Sequence, residues 1–322
     1  MQWVVYPTEY NMFCMMEGKP LHGCMDWKGA TTPTQVLVFD LHNTEEIDPH
    51  KPPVGVSTTA AFHSQHHINA YQEAAPATGG ASGAGGGTRL VVDTAAYASP
   101  TFWTSKYPFG SLEVMRDRDS RNHIAGMATV RRLFIDLPLT TATSTTPAVP
   151  STGAEPVQTN ASGDSRSTSM SVTYLDVPVV DEDGNVYTLD FPFINRGDGG
   201  PSPSGVDGKP YCVFYAFACN ARNSTELAAW ATLKVDMCAK AGTPNAKVWY
   251  EPQHYPQEPI FVPTPGATGD DDGILLNNVL DGANLTTYLS ILDGKTLKEL
   301  ARLDFADKEV LPYMQHAAFF QQ

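Results

Sequence analysis

The clearest hydrophobic pattern lies near the C-terminal end, where three apolar runs are separated by short turn sequences. The runs read GILLNNVL at 273–280, TYLSILD at 287–293 and LKELARLDF at 297–305. Asp-Gly and Gly-Lys pairs stand between them, and such pairs are typical of tight turns between antiparallel strands. The segment Thr296–Ala301 is also compatible with a helix, but its position after two strands favours a third strand. This stretch therefore predicts a three-stranded meander.

Further short apolar runs are spaced along the rest of the chain. They are bounded by turn formers, since the sequence holds 25 proline and 26 glycine residues, and this punctuation favours short strands over long helices. A series of four-stranded meanders predicts an all-β fold of the β-propeller type, with a β-sandwich left open as the alternative. The predicted strands lie around residues 3–6, 35–41, 89–97, 130–139, 172–179, 186–191, 211–219, 230–236, 246–250 and 259–262.

Two low-complexity segments interrupt this pattern. Residues 74–88 are rich in glycine and alanine, and residues 140–169 are rich in serine, threonine and proline. Neither can bury a core, so we expect both to be loop insertions in a single domain that spans residues 1–322. Residues 46–60 read as a proline-rich connection, and residues 98–128 form a polar stretch in which a helix is one option.

Composition and charge exclude some classes of function. The 322 residues carry a formal net charge of −14 and show no basic stripe, which argues against a nucleic-acid partner. The absence of a run of 18 apolar residues argues against a transmembrane helix, whereas peripheral contact with a membrane stays open. Five cysteines with no CxxC pair favour reduced thiols in an intracellular protein, cytoplasmic or plastid.

Histidines are the residues with the clearest potential for chemistry. Of the nine in the chain, His63, His66 and His67 fall within five residues. Neutral imidazole is a good ligand for iron, zinc, copper and nickel. In a regular strand, however, His66 and His67 would face opposite sides, so they could not share one ion. Spacing alone leaves a metal site and a polar loop with surface histidines as alternatives.

Eight sequence blocks resemble those of a known family, and they occur in the family's order. The chain is identified on them as similar to the carotenoid cleavage oxygenases, most closely the animal-type branch that includes β-carotene cleavage enzymes and the retinoid isomerase. The blocks are HHINAY at 66–71, RLVVDTAAY at 89–97, LDFPFIN at 189–195, GKPY at 208–211, WYEPQHYPQEPIFVPTP at 249–265, DDDGILLNNVLDG at 270–282, LDGKTLKELAR at 292–302 and PYMQHAAFF at 312–320.

The resemblance implies a fold and a metal centre. It predicts the C-terminal blades of a seven-bladed β-propeller, in which four histidines bind one iron(II) ion, Fe2+, on the propeller axis. The motifs assign His66 and His316 as ligands, whereas His67 is expected to serve in packing.

The resemblance also assigns roles around the metal. Glu258 and Asp190 would be the carboxylates that hydrogen-bond the ligand imidazoles, and Phe191 would line an aromatic substrate tunnel. Because Asp190 stands where the family usually has the longer Glu, we expect its hydrogen bond to be lengthened or bridged by water.

Several features depart from the family pattern. The family's first two iron histidines lie upstream of the region that this chain matches, so the chain is expected to supply two ligands of four. We therefore expect a truncated gene model or a partial paralogue. If the sequence is complete, we expect low affinity for iron and doubtful activity. Gln65 and Gln315 replace the aromatic residues that usually precede the two ligands, and their role is open.

The function implied is oxidative cleavage of double bonds in a carotenoid or apocarotenoid, with O2 as co-substrate and aldehydes as products. Two alternatives remain open at this stage. One is a retinoid isomerohydrolase, and the other is a non-catalytic fragment that binds polyenes without the full set of iron ligands. The substrate, the cleaved bond and the oligomeric state do not follow from the sequence.

Overall fold

The computed structural model describes residues 2–10, 12–18, 24–39, 53, 55–76, 87–99, 128–137, 170–197, 205–220, 229–305, 310–311 and 316. These residues form nineteen strands and one α-helix. In chain order the elements are β1 Gln2–Val5, β2 Thr8–Tyr10, α1 Met12–Met16, β3 Met25–Trp27, β4 Thr34–Val38, β5 Gly55–Thr59, β6 His67–Ala74, β7 Thr88–Ala96, β8 Thr129–Asp136, β9 Ser171–Val177, β10 Val179–Val180, β11 Val186–Phe193, β12 Val213–Asn220, β13 Ala229–Asp236, β14 Ala246–Trp249, β15 His254–Pro256, β16 Ile260–Pro263, β17 Gly273–Asp281, β18 Thr286–Asp293 and β19 Glu299–Asp304.

The strands are arranged as a succession of antiparallel sheets. Strand β4 pairs with β1 and β5 in the first sheet, and β2 pairs with β3 beside it. Strands β6 to β9 form a four-stranded meander, and β10 to β14 form a five-stranded meander. In the last sheet β17 pairs with β15, β16 and β18, and β18 pairs with β19. Successive meanders of this kind are blades of a propeller, which confirms the predicted all-β architecture.

The strand predictions hold for most of the chain, with corrections in the short elements. The meander at the C-terminal end forms as predicted, and Thr296–Ala301 contributes to the turn and to strand β19 rather than to a helix. Strand β5 lies inside the segment that was expected to be a connection. It was missed because its GVSTT sequence lacks the apolar alternation that marks a strand. The short elements β2, α1, β3 and β15 were not predicted either.

The expectation for the cysteines was wrong for four of the five. Cys14 is bonded to Cys24 and Cys212 to Cys238, with Cα atoms 5.5 and 5.0 Å apart. Neither pair has a motif spacing, since the partners are 10 and 26 residues apart in sequence. The strands and loops that bring each pair together decide the bonding, and cysteine spacing does not record that proximity.

The largest core cluster lies between the β6–β9 sheet and the β10–β14 sheet. Ile68, Ala95 and Val130 of the first of these sheets pack against Leu189, Phe214 and Leu233 of the next. Buried polar side chains cross the same boundary. Asp93 on β7 accepts two hydrogen bonds from Arg132 on β8, at 2.8 Å each, and a third from the Tyr211 hydroxyl at 2.7 Å, just before β12. Apolar packing and the Tyr211–Asp93 hydrogen bond therefore join the two sheets, whereas the Asp93–Arg132 ion pair lies within the β6–β9 sheet.

Asn69 joins the same two sheets by amide hydrogen bonds. Its side-chain NH2 donates to the carbonyl oxygens of Val206 and Lys209 at 2.9 and 3.0 Å. Its side-chain oxygen accepts the Gly208 N–H at 3.1 Å. The HHINAY and GKPY blocks are thus in direct contact. Within the described ranges, the only helix is too short to cross a bilayer.

Asp93 and Asp176 offer a matched test of what burial adds to an ion pair within the β6–β9 sheet, because each accepts two hydrogen bonds from an arginine of β8. Asp93 is fully buried, whereas the Asp176 side chain is 48% exposed. We expect Asp93→Ala to lower the free energy of unfolding by about 3–5 kcal/mol, since it leaves Arg132 unpaired in the interior. Asp176→Ala should cost about 1 kcal/mol or less. Urea unfolding measures both, and equal losses would contradict this difference.

Candidate metal centre

The backbone of His66 is held in a turn immediately before β6. Its carbonyl oxygen accepts three hydrogen bonds: from the Ala95 N–H at 3.0 Å and from the hydroxyls of Thr94 and Ser64 at 3.1 Å each. The hydroxyls of Thr94 and Ser64 also contact each other. Because three donors lie around this carbonyl, the main chain of His66 has little freedom to move where it enters β6.

Asp190 on β11 orients the His66 ring from the neighbouring meander. Its Oδ1 lies 2.8 Å from His66 Nδ1 and also accepts the Phe191 N–H at 2.9 Å. Its Oδ2 accepts a short hydrogen bond from the Tyr97 hydroxyl. The expected lengthening or water bridge is therefore wrong. The β11–β12 register shifts between Asp190 and Phe193, and we attribute the direct contact of the shorter side chain to this bulge.

This contact determines how His66 can act as a ligand. A carboxylate on Nδ1 makes that nitrogen the N–H donor and leaves the Nε2 lone pair for a metal ion. Burial alone would lower the pKa of His66, but the hydrogen bond and the negative charge of Asp190 outweigh it and raise the pKa above its ordinary value. The charge of Glu258 adds to the same effect. A higher pKa corresponds to a more basic imidazole and a stronger electron donor.

His316 stands beside His66, with ring centroids 5.1 Å apart. Its backbone N–H donates to Glu258 Oε2 at 2.5 Å, and its ring Nδ1 lies 3.4 Å from the same oxygen. Glu258 therefore holds the main chain of His316 more closely than the ring. His316 adopts φ 58°, a left-handed conformation that is uncommon for a residue with a side chain.

The distance between the two rings is compatible with one shared ion. An ion about 2.1 Å from a coordinating imidazole nitrogen lies about 3.3 Å from the ring centroid, so ligand angles between a right angle and the tetrahedral angle separate two centroids by about 4.6–5.3 Å. The observed 5.1 Å falls in this interval. A pair of neutral imidazoles backed by carboxylates is a donor set suited to a divalent transition metal.

Phe191 completes the cluster. Its ring centroid lies 4.8 Å from His66 and 5.8 Å from His316, and it also contacts Phe217 at 6.2 Å. Like His316 it is left-handed, with φ 49°. The aromatic face beside the two imidazoles is thus provided by a residue that the β11 bulge turns toward them.

Other histidines lie elsewhere or outside the described residues. His67 is the first residue of β6, pairs with Thr94 and is exposed. The packing role that the resemblance implied for it is therefore not seen among the described residues. Gln65 is also exposed, and Gln315 lies outside the described part of the chain. The remaining histidines outside the described residues are His22, His42, His50 and His123.

The sequence did not point to Tyr97, and it singled out His63 only as one of three clustered histidines. Tyr97 ends the RLVVDTAAY block, so the block contained a signal, but the contact with Asp190 crosses to another sheet. His63 is buried with ring centroids 5.3, 6.2 and 6.4 Å from those of Tyr6, Tyr97 and Trp27. Within the described residues neither of its ring nitrogens has a hydrogen-bond partner.

Comparison with known proteins shows which family the chain resembles. The model of the retinal pigment epithelial membrane protein family matches residues 2–321. A torulene dioxygenase from Fusarium fujikuroi is 42% identical over 103 residues, which are 31% of this chain and 17% of that protein. A mitochondrial carotenoid-cleaving dioxygenase from Mustela putorius furo is 33% identical over 141 residues, which are 44% of this chain and 22% of that protein.

A solved structure supports the fold. The crystal structure of cobalt-substituted Synechocystis apocarotenoid oxygenase superposes with a TM-score of 0.58 at 19% identity, and the match covers 97% of this chain and 49% of that one. The predicted β-propeller is confirmed, and the chain spans about half of that protein. Because the relatives include a fungal and a mammalian enzyme, assignment to the animal-type branch stays a prediction.

His63 predicts a pH dependence of stability. Burial lowers its pKa in the folded state, an effect only partly offset by the charge of Asp190, whereas the unfolded chain protonates near the ordinary value of about 6.5. Between these two values the unfolded state binds more protons, so acidification through this window should destabilise the protein by up to about 1.4 kcal/mol per pH unit. His63→Phe should flatten the loss that urea unfolding measures between pH 7 and pH 5.

Tyr6→Phe is the matched control in the same aromatic cage. Burial raises the pKa of Tyr6 to about 12, far above this range, so its variant should keep the pH dependence of the parent protein. A pH profile that is unchanged by His63→Phe would contradict the assignment.

Proposed function

Because the chain belongs to the retinal pigment epithelial membrane protein family of carotenoid oxygenases, we propose that it serves in iron(II)-dependent oxidative cleavage of a carotenoid or apocarotenoid to aldehydes. The observation that carries the proposal is the pair of imidazoles of His66 and His316, with Asp190 on Nδ1 of His66. Bound Fe2+ would be held by these two nitrogens and would supply the chemistry that activates O2.

The residues around the pair have separate tasks in this proposal. Asp190 keeps His66 in the tautomer that presents Nε2, and Tyr97 keeps Asp190 in place from its other oxygen. Glu258 fixes the main chain of His316. Phe191, which packs on the buried ring of Phe217, offers an apolar aromatic surface against which a conjugated hydrocarbon can lie, and such a surface also excludes water.

The substrate class and the surroundings belong to the proposal as well. The names of the fungal and mammalian relatives describe carotenoid dioxygenases, in keeping with a long polyene. Helix α1 exposes Met12, Phe13 and Met16 at 69, 78 and 80% of their surface, which suits peripheral contact with a membrane that holds such a substrate. The compartment, cytoplasm or plastid, stays a prediction.

Two alternatives to dioxygenase activity remain. The described residues bring two imidazoles to the centre, whereas the family resemblance expects four, and this difference favours a non-catalytic polyene-binding protein. An isomerohydrolase that acts on retinyl esters would use the same apolar site. All three activities can be separated by the fate of the oxygen atoms.

We therefore expect labelled aldehydes when the protein, expressed from its full gene in carotenoid-accumulating bacteria, turns over under 18O2. Cleavage of one double bond by one O2 leaves one oxygen atom in each of two aldehydes. The products should be reduced at once to alcohols, so that the label is not lost by exchange with water, and analysed by mass spectrometry. His66→Ala should abolish the labelled products because it removes an imidazole from the pair.

His67→Ala is the control, since this neighbour is exposed and lies outside the cluster. It should keep the parent's yield of labelled products. Unlabelled alcohols of changed double-bond geometry would indicate an isomerohydrolase, and binding of the polyene without any product would indicate the non-catalytic alternative. Either result would overturn the proposed cleavage.

A further inference from the structure

A second set of candidate metal ligands lies at one end of the β10–β14 meander. Cys212 immediately precedes β12 and Cys238 follows β13, and these strands pair with Val213 opposite Asp236. The Met237 N–H donates to the Cys212 carbonyl at 2.7 Å and extends the ladder by one step. The two cysteines are therefore held side by side by paired strands.

Asp236 contributes a third donor at the same place. A carboxylate oxygen of Asp236 and the sulfur atoms of Cys212 and Cys238 all lie within 4.8 Å of one another. The Asp236 Oδ1 accepts the Cys238 N–H at 2.8 Å, which fixes the carboxylate beside the sulfur pair. Within the described residues, no other three or more Cys, His, Asp or Glu side chains come together in this way.

The surroundings keep the donor set accessible. Cys238 is exposed, and Asp236 lines an open surface cavity of about 260 Å³ together with Lys234. The Lys234 ammonium is paired with Asp271 at 2.6 Å, so its positive charge is compensated. On the other side, the N–H groups of Cys212 and Val213 donate to Asp270 at 2.7 and 2.9 Å, which anchors the first cysteine.

We propose that Cys212, Cys238 and Asp236 form a redox-gated site for a thiophilic divalent cation such as Zn2+. In the oxidised protein the sulfur atoms are bonded to each other and the site is closed. A dithiol reductant opens it by thiol–disulfide exchange: the S–S bond breaks, two electrons and two protons pass to the cysteines, and the dithiol becomes a disulfide. Cation binding then releases the two thiol protons.

The donor chemistry favours zinc and cadmium over calcium or magnesium. Two thiolates and one carboxylate supply three of four tetrahedral positions, and water can take the fourth. Harder cations prefer sites made entirely of oxygen. The cation would bridge the open end of the β12–β13 pair and so replace the lost disulfide as a crosslink.

Cd2+ is the probe for the test, because thiolate-to-cadmium charge transfer absorbs in the ultraviolet and histidine sites do not produce that band. The full chain is compared before and after reduction with dithiothreitol and removal of the reductant without oxygen. The reduced protein should bind one equivalent with the thiolate band and protect two thiols from maleimide. The oxidised protein should show neither change.

Variants identify the residues. Asp236→Asn should weaken Cd2+ binding by at least about tenfold, the scale seen when a metal's surroundings are perturbed, and Cys238→Ser should abolish the band. The double variant Cys14→Ser/Cys24→Ser is the matched control, since it removes the other disulfide that dithiothreitol reduces, and it should bind as the parent does. If Cys238→Ser does not fold, Asp236→Asn decides. Equal affinity in Asp236→Asn, or no band in the reduced parent protein, would overturn the proposal.

Discussion

The hydrogen bond between His66 and Asp190 is the interaction on which the rest of the site depends. It joins two neighbouring meanders, because His66 precedes β6 and Asp190 lies on β11. It selects the tautomer of the imidazole and leaves the lone pair of Nε2 for a metal ion. Since Tyr97 donates to the second carboxylate oxygen, both oxygens of the buried Asp190 accept hydrogen bonds.

The scaffold keeps those two meanders in register with each other. An apolar core lies between them, and the hydrogen bonds of Tyr211 to Asp93 and of the Asn69 amide to Val206 cross the same boundary. Buried polar groups are costly unless each has its partners, so these contacts admit few relative positions of the two sheets. The contact of His66 with Asp190 needs such precision, because a small sliding motion between the two sheets would separate the imidazole from the carboxylate.

The sequence predicted regular structure better than the details of the site. Strands β17 to β19 followed from apolar alternation and Asp-Gly turns, both of which are local signals. Strand β5 carried no such signal, and the disulfides depend on distances that only the fold creates. His66, His316 and Glu258 could be singled out by resemblance, not by spacing. The expected weak contact between Asp190 and His66 was wrong. The expectation considered the length of the aspartate side chain, whereas the sequence did not show the backbone bulge in β11. Tyr97 and His63 have roles that arise between sheets, where single-chain patterns give no information.

The most direct measurement of the central claim is anaerobic equilibrium dialysis of the chain against Fe(II), with His66→Ala, His316→Ala and the double variant in parallel. If the two imidazoles share one ion, binding is weak and requires iron in excess, and each single variant loses as much affinity as the double variant does. Strictly additive losses would indicate two separate sites. Iron binding that neither substitution changes would contradict a shared metal centre at His66 and His316.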